Sequence, residues 1–182
     1  KGISTKDYNL KDLRKLIGIV PQKAVLFKGS ILDNLKWGNE DATINDIKEA
    51  LEISQSSTFV NSLKDKYYSE VLQGGKNFSG GQRQRLSIAR ALVKDPEILI
   101  LDDSLSAVDA LTETNIIKQL KETRTDKTNI IVAHCFSSIA LADKIIVLQE
   151  GRITDIGTHK ELLKYDNWYK MQYLIQIKGD NY

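Results

Sequence analysis

Cysteine, proline and an excess of charge of one sign are all scarce in this chain of 182 residues. The one cysteine, Cys135, excludes an internal disulfide and a zinc knuckle, and it fits a reducing compartment. Lysine and arginine number 26 against 24 aspartate and glutamate residues, so the net charge is only +2. Dedicated nucleic-acid binders usually carry a concentrated basic excess, and we therefore expect no nucleic-acid partner. No apolar run approaches the roughly 18 residues that are needed to cross a bilayer.

Strand and helix patterns alternate along the chain. Four runs rich in Ile, Val and Leu predict parallel strands that are buried on both faces, at residues 16–20, 98–101, 129–133 and 144–148. A more polar run at 152–157 follows Glu150-Gly151 and predicts a hairpin with the fourth strand. Helical patterns cover residues 43–53, 79–93, 106–122 and 159–175. The alternation predicts an α/β domain with a mainly parallel sheet, and residues 42–93, which show no strand pattern, predict a helical insert.

A hydrophobic strand, EILILDD at residues 97–103, ends in Asp102 and Asp103. A carboxylate in this place lies at the carboxyl edge of a parallel sheet, where open α/β folds bind their ligands. In P-loop nucleotide enzymes the corresponding position holds an aspartate near Mg²⁺. The alternative is a strand that ends in a solvated acidic turn.

The segment NFSGGQRQRLSIARAL, residues 77–92, predicts a helix that Ser79 and Gln82 begin as a capping box. Gly80 and Gly81 let a ligand approach the backbone, and the first helical turn leaves N–H groups unpaired. Such a helix start binds anions, with the serine hydroxyl as an extra donor. The alternative is a plain capped helix whose arginines form a solvated basic face.

The order of these motifs resembles the ABC-type ATPase family, from about residue 2 to about residue 163. The Q-loop matches at Gln22 in IGIVPQ, Walker B at 98–102, the D-loop at 104–109 and the H-loop at His134. The signature motif matches at Phe78, Ser79, Gly80, Gly81 and Gln82, and the D-loop includes Ser106 and Asp109. The run at 27–35 is similar to the exporter branch in particular.

The resemblance implies a P-loop NTPase-like α/β fold with a catalytic subdomain at 1–41 and 94–182 and a helical subdomain at 42–93. It implies that two nucleotide-binding domains face each other head to tail and hold ATP and Mg²⁺ between them. Asp102 and Gln22 would then meet the metal, His134 would contact the γ-phosphate, and the signature residues would address the ATP of the partner domain. The domain would lie at the cytoplasmic face of a membrane, joined to its own upstream transmembrane domain.

The chain also departs from the family pattern. It contains no G-x-x-x-x-G-K-[ST], so we expect the P-loop and its strand upstream of residue 1. Asp103 stands where active members carry glutamate, which resembles one subunit of heterodimeric exporters that have one consensus and one degenerate ATP site. The alternative is that Asp103 still acts through a water. Leu72-Gln73 replaces a glutamate that touches the transmembrane coupling helices, and Cys135-Phe136 replaces Arg-Leu.

The sequence thus predicts most of the nucleotide-binding domain of a multidrug-type exporter half-transporter, an ATPase when complete, whose partner is a non-identical second domain. Two alternatives stay open. One is a soluble ABC ATPase that acts on DNA or ribosomes. The other is a truncated, inactive module that supplies only its signature motif to a partner.

Overall fold

The computed structural model describes residue 2 and residues 4–179. The chain divides into two compact units, Lys1–Val132 and Ala133–Tyr182. Within the described ranges, no helix combines the length and the hydropathy that membrane crossing requires.

The first unit alternates helices with short strands. Its elements are α1 (Leu10–Lys15), β1 (Ile17–Val20), β2 (Gly29–Ser30), α2 (Ile31–Lys36), α3 (Ile44–Ile53), α4 (Ser57–Ser62), β3 (Glu70–Val71), α5 (Gly80–Val93), β4 (Ile98–Asp102), α6 (Ala110–Thr123) and β5 (Thr128–Val132). Single 3₁₀ turns cover Thr5–Asp7, Lys66–Tyr68 and Gln73–Gly75. The predicted α/β architecture is confirmed.

The three longer strands of this unit form a parallel sheet in the order β1-β4-β5. One face of the sheet is buried at Val20, Leu99 and Leu101, and α5 packs against β1. On the other face Ile19 is 61% exposed, and Ile130 and Val132 are also exposed. The prediction of burial on both faces is therefore wrong for these strands, because an unbroken apolar run does not say which face a neighbour covers.

The helix starts follow from side-chain caps. Thr43 caps α3 and Ser79 caps α5, each in a capping box with the residue three positions on, and both predicted starts are confirmed. The prediction that a helix begins at 106 is wrong, since Asp109 accepts the N–H of Thr112 and starts α6 only at Ala110.

The segment 42–93 is mostly helical but contains β3, so the prediction that it has no strand is wrong. Here β3 pairs antiparallel with β2, with Gly29 opposite Val71. The Ile31 N–H donates to the Ser69 carbonyl at 3.1 Å, which continues the pairing. A strand of two residues buries Val71 but is too short to leave a period in the sequence.

The second unit holds α7 (Phe136–Ile139), β6 (Ile145–Gln149), β7 (Arg152–Gly157), α8 (His159–Leu162) and α9 (Trp168–Gly179). The predicted hairpin is confirmed, because β6 pairs antiparallel with β7. Its turn places Glu150 at φ 49° and Gly151 at φ 74°, the left-handed pair that a two-residue hairpin turn needs. The strand predicted at 144–148 therefore belongs to this antiparallel pair and not to the parallel sheet.

The helix predicted at 159–175 is two helices. Asn167 breaks it, because its side chain donates to the Leu162 carbonyl at 3.0 Å and accepts the Lys170 N–H at 2.8 Å. The core of the second unit is formed by Ile145, Val147, Leu162 and Tyr169.

Candidate functional site

Gln22 and Asp103 meet at the carboxyl edge of the parallel sheet. Val20 of β1 lies opposite Leu101 of β4, and each of the two polar residues comes two positions after its member of this pair. The Gln22 Nε2 donates a hydrogen bond to the Asp103 Oδ2 at 2.5 Å. The structure therefore joins the predicted Q-loop glutamine to the predicted catalytic carboxylate directly.

The backbone of Asp103 is in the left-handed region, with φ 47°. The turn that follows is closed by the Ser106 hydroxyl, which donates to the Asp103 carbonyl at 2.9 Å. Next to it the Ser104 hydroxyl is buried and makes no hydrogen bond among the described residues. The sharp turn aims the Asp103 carboxylate at Gln22, while Asp102, the last residue of β4, is exposed.

The donors at this edge suit a magnesium ion that is shared with phosphate oxygens. Mg²⁺ is usually bound through one or two carboxylates together with substrate phosphates and waters. Asp102 offers an exposed carboxylate, and Gln22, which turns its amide nitrogen to Asp103, leaves its Oε1 for a cation. No group of three or more His, Cys, Asp or Glu residues in the described part of the chain could hold a metal by itself.

The predicted signature motif forms the start of α5. The Ser79 N–H donates to the Gln82 Oε1 at 2.9 Å, and the Gln82 N–H donates to the Ser79 Oγ at 3.2 Å. The N–H groups of Gly80 and Gly81 belong to the first turn and have no partner within the helix. Ser79 and Gly80 are exposed, whereas Phe78 is buried edge-on against Phe59. This arrangement offers neutral donors to an anion outside the unit.

Gln84 ties the signature helix to the Q-loop. It is only 2% exposed, and its Nε2 donates to the Pro21 carbonyl at 3.2 Å. Sequence reasoning missed this residue, because a single glutamine inside a helix matches no motif. Its spacing from the buried Ser87 and Ile88 was the available signal, since positions three and four apart share a helix face.

The signature helix also packs against the predicted D-loop. A Cβ added at Gly81 would lie 3.1 Å from the Ala107 carbonyl oxygen, so a side chain at this position would press on the D-loop backbone. Asp109 ends the D-loop, and the Thr112 N–H and hydroxyl that it accepts lower its pKa, with a smaller contribution from Arg85. Asp109 is therefore ionised at neutral pH and caps α6 as a carboxylate.

His134, the predicted H-loop residue, belongs to the second unit, and its side chain is exposed. The contacts among Gln22, Asp103 and α5 all lie within the first unit. The role of His134 next to a phosphate stays a prediction.

Comparison with known proteins places these features in a family. Residues 1–106 match the family described as ABC transporter. Over 172 residues the chain is 45% identical to the uncharacterized ABC transporter ATP-binding protein YknU of Bacillus subtilis, covering 94% of this chain and 29% of the relative. It is 44% identical over 172 residues to the probable multidrug resistance ABC transporter ATP-binding/permease protein YheI of the same organism, again covering 94% of this chain and 29% of the relative.

A solved structure titled as a bacterial Atm1-family ABC exporter with ATP bound matches the fold with a TM-score of 0.84 and 37% identity. The match covers 91% of this chain and 29% of that one, so the chain spans less than a third of these relatives. The fold that the motifs predicted is confirmed. The chain belongs to the ABC transporter family and is part of an ATP-binding domain similar to those of multidrug and Atm1-type exporters.

Proposed function

We propose that this chain forms most of the nucleotide-binding domain of an ABC exporter, which couples ATP binding and hydrolysis to the efflux of a substrate across a membrane. The hydrogen bond from Gln22 to Asp103 carries the proposal. It sets an amide and a carboxylate side by side, next to Asp102, at the edge where α/β folds bind ligands. The relatives YheI and YgaD are named as a probable multidrug resistance ABC transporter and a putative multidrug export protein. Their names support an exporter over a soluble ABC ATPase.

In this proposal ATP lies between two nucleotide-binding domains at the cytoplasmic face of the membrane. Phosphoryl transfer depends on positioning and on neutralising oxygen charge, which bound Mg²⁺ supplies in part. Asp102 and Gln22 hold the metal, and His134 contacts the γ-phosphate. The helix start at 78–82 addresses the ATP that the partner domain holds, and the D-loop residues Ser106 and Asp109 face the same partner.

The domain boundaries follow the same proposal. Residues 1–41 and 94–182 form the catalytic subdomain, and residues 42–93 form a helical subdomain that ends in the signature helix. The bond from Gln84 to Pro21 supports a mechanical link between the two, because it connects α5 to the Q-loop.

Asp103 marks the slower of two unequal ATP sites. Its carboxylate is one methylene shorter than that of glutamate, and a displacement of about 1 Å in a catalytic group can cost about 10²-fold in rate. Asp103 therefore holds Gln22 but is poorly placed to accept a proton from the attacking water. The faster site then combines this chain's signature helix with the P-loop and the glutamate of a non-identical partner subunit.

Steady-state ATP hydrolysis by the complete exporter tests the asymmetry. Asp103→Asn should leave turnover nearly unchanged, because the slow site contributes little. Changing the partner's catalytic glutamate to glutamine should nearly abolish turnover. If Asp103→Asn is as inactive as that change, the two sites are equivalent, and a symmetrical exporter is the better account.

The role of the signature helix needs a variant that keeps the helix cap. Ser79→Asp retains a good N-cap residue but places a negative charge where a phosphate would bind, so the fold should persist while turnover falls by at least tenfold. Ser79→Thr keeps both the cap and the hydroxyl and is the matched control. Full turnover in Ser79→Asp would show that this helix start meets no phosphate.

A further inference from the structure

The start of α7 is capped from a distant part of the second unit. Its N-cap residue, Cys135, makes no side-chain bond to the helix backbone, as expected of a residue type outside the good N-caps. Instead the Phe136 N–H, the first of the helix, donates to the Oε1 of Gln176 at 2.8 Å. Gln176 lies on α9, 40 positions further along the chain.

An aromatic cluster holds α9 against this place. The Phe136 ring packs edge-on against Tyr169 and Tyr173, with centroids 5.0 Å and 5.7 Å away. His159 bonds to the Tyr169 hydroxyl through Nδ1 at 2.7 Å, and its ring lies 5.0 Å from that of Tyr173. Tyr169 is buried in the core of the unit. The packing of this cluster therefore holds α9, and with it the acceptor oxygen of Gln176, in place.

We propose that Gln176 is a positioning residue for His134. A helix of four residues does not hold its first turn without outside contacts, and Gln176 supplies one for the backbone two positions after His134. The direction of the imidazole depends on the backbone torsions of this short stretch. The inference rests on the proposed function, which gives His134 its contact with the γ-phosphate.

Three variants separate this role from a general effect on α9. Gln176→Leu keeps the approximate size of the side chain and removes the acceptor, whereas Gln176→Glu retains a carboxyl oxygen in the same place. Gln172→Leu changes the same residue type one turn earlier on α9 and is the matched control.

The complete exporter is measured with the partner's catalytic glutamate changed to glutamine, so that the residual turnover comes from the slow site of this chain, which contains His134. In this background Gln176→Leu should lower the kcat of ATP hydrolysis about fivefold, the size expected for one neutral hydrogen bond. The KM for ATP should stay within about twofold, and Gln176→Glu and Gln172→Leu should match the wild type. Amide hydrogen exchange of the 134–139 segment should accelerate in Gln176→Leu only. Wild-type kcat in Gln176→Leu, or no rescue by glutamate, would overturn the proposal.

A double variant shows whether the effect passes through His134. In a His134→Ala background, Gln176→Leu should cause no further loss of kcat, and an additional fivefold loss would overturn the positioning role. Failure of the proposed function gives a different pattern, because His134→Ala alone, again with the partner's catalytic glutamate changed to glutamine, would then leave the residual ATP hydrolysis unchanged. That result would overturn both the role of His134 and the role of Gln176. If hydrolysis depends on His134 but not on Gln176, only the positioning role of Gln176 is overturned.

Discussion

At the scale of single residues, the left-handed backbone of Asp103 favours the side chain that is found there. Aspartate and asparagine adopt φ near 47° more readily than other non-glycine residues, since their short polar side chains bond locally. Asp103→Ala should therefore lower the free energy of unfolding by about 1 kcal/mol, and Asp103→Asn should leave it nearly unchanged. Urea denaturation of the two variants measures the difference. Equal stability would mean that the turn carries no strain.

The contact between Gln22 and Asp103 could be predicted only in part from the sequence. Asp103 ends an apolar run and was expected at the edge of a sheet, and the family resemblance named the roles of both residues. That they touch depends on the register of β1 against β4, which no local pattern encodes. Gln84 and Gln176 were missed for the same reason, because each bonds a backbone group far away in the chain.

At the scale of elements, Arg124 connects the end of α6 to the sheet by hydrogen bonds. It is 6% exposed, and its guanidinium donates to the Pro96 carbonyl, to the Asn129 Oδ1 at 3.2 Å and to the Asp95 Oδ1 at 3.4 Å. These partners precede β4 and begin β5, so one side chain joins three elements.

Arg124→Met should lower the free energy of unfolding by about 2–3 kcal/mol, because it leaves a buried carbonyl without its charged donor. Lys15→Met is the control, since Lys15 and Asp12 form an exposed pair at 3.6 Å that is worth at most about 1 kcal/mol. Chemical denaturation of both proteins gives the comparison. A loss in Arg124→Met no greater than the control would show that the guanidinium is solvated in the native state.

The contact between α8 and α9 should depend on pH. Burial lowers the pKa of His159 below its ordinary value of 6.5. Burial, with a smaller contribution from the nearby Tyr173, raises the pKa of Tyr169 to about 12. The unfolded chain thus takes up a proton more readily than the folded one. His159 therefore gives its full stabilisation above about pH 6.5, and the stabilisation is lost as the pH falls through the lowered pKa of the folded state.

Thermal unfolding between pH 8 and pH 5 should show this loss in the wild type and a smaller slope in His159→Phe. The variant is less stable at every pH, because the Tyr169 hydroxyl loses its partner, so the slope and not the midpoint is the test. Identical slopes would mean that His159 is solvated when the protein is folded.

The helices show how far sequence patterns reach at this scale. Thr43 and Ser79 begin α3 and α5 as predicted, since a capping box is a local signal. The break at Asn167 and the two-residue strand β3 were missed, because the first depends on a bond to Leu162 and the second on pairing with β2. The two capping boxes thus predicted two helix starts, whereas the start of α6 at Ala110, the break at Asn167 and the strand β3 were not predicted.

At the scale of the whole molecule, the chain alone should bind Mg-ATP weakly. Residues 1–182 contain no G-x-x-x-x-G-K-[ST], the motif whose amides and lysine hold the β- and γ-phosphates. The donors at the start of α5 are neutral, and in the proposed assembly they meet only the nucleotide that the partner domain holds. Calorimetry should detect no dissociation constant in the micromolar range. A micromolar value would show that the phosphate site is formed by other residues.

The tight turn at Glu150-Gly151 has a consequence for the order of folding. It connects β6 to β7 directly, and hairpins of this kind close in about 1–10 μs. The pairing of β1 with β4 brings together the segments that carry Gln22 and Asp103, which are 81 positions apart. Closing so long a loop costs more conformational entropy before any stabilising contact can form. We therefore expect the hairpin to form early and the edge that carries Gln22 and Asp103 to be among the last parts of the protein to assemble.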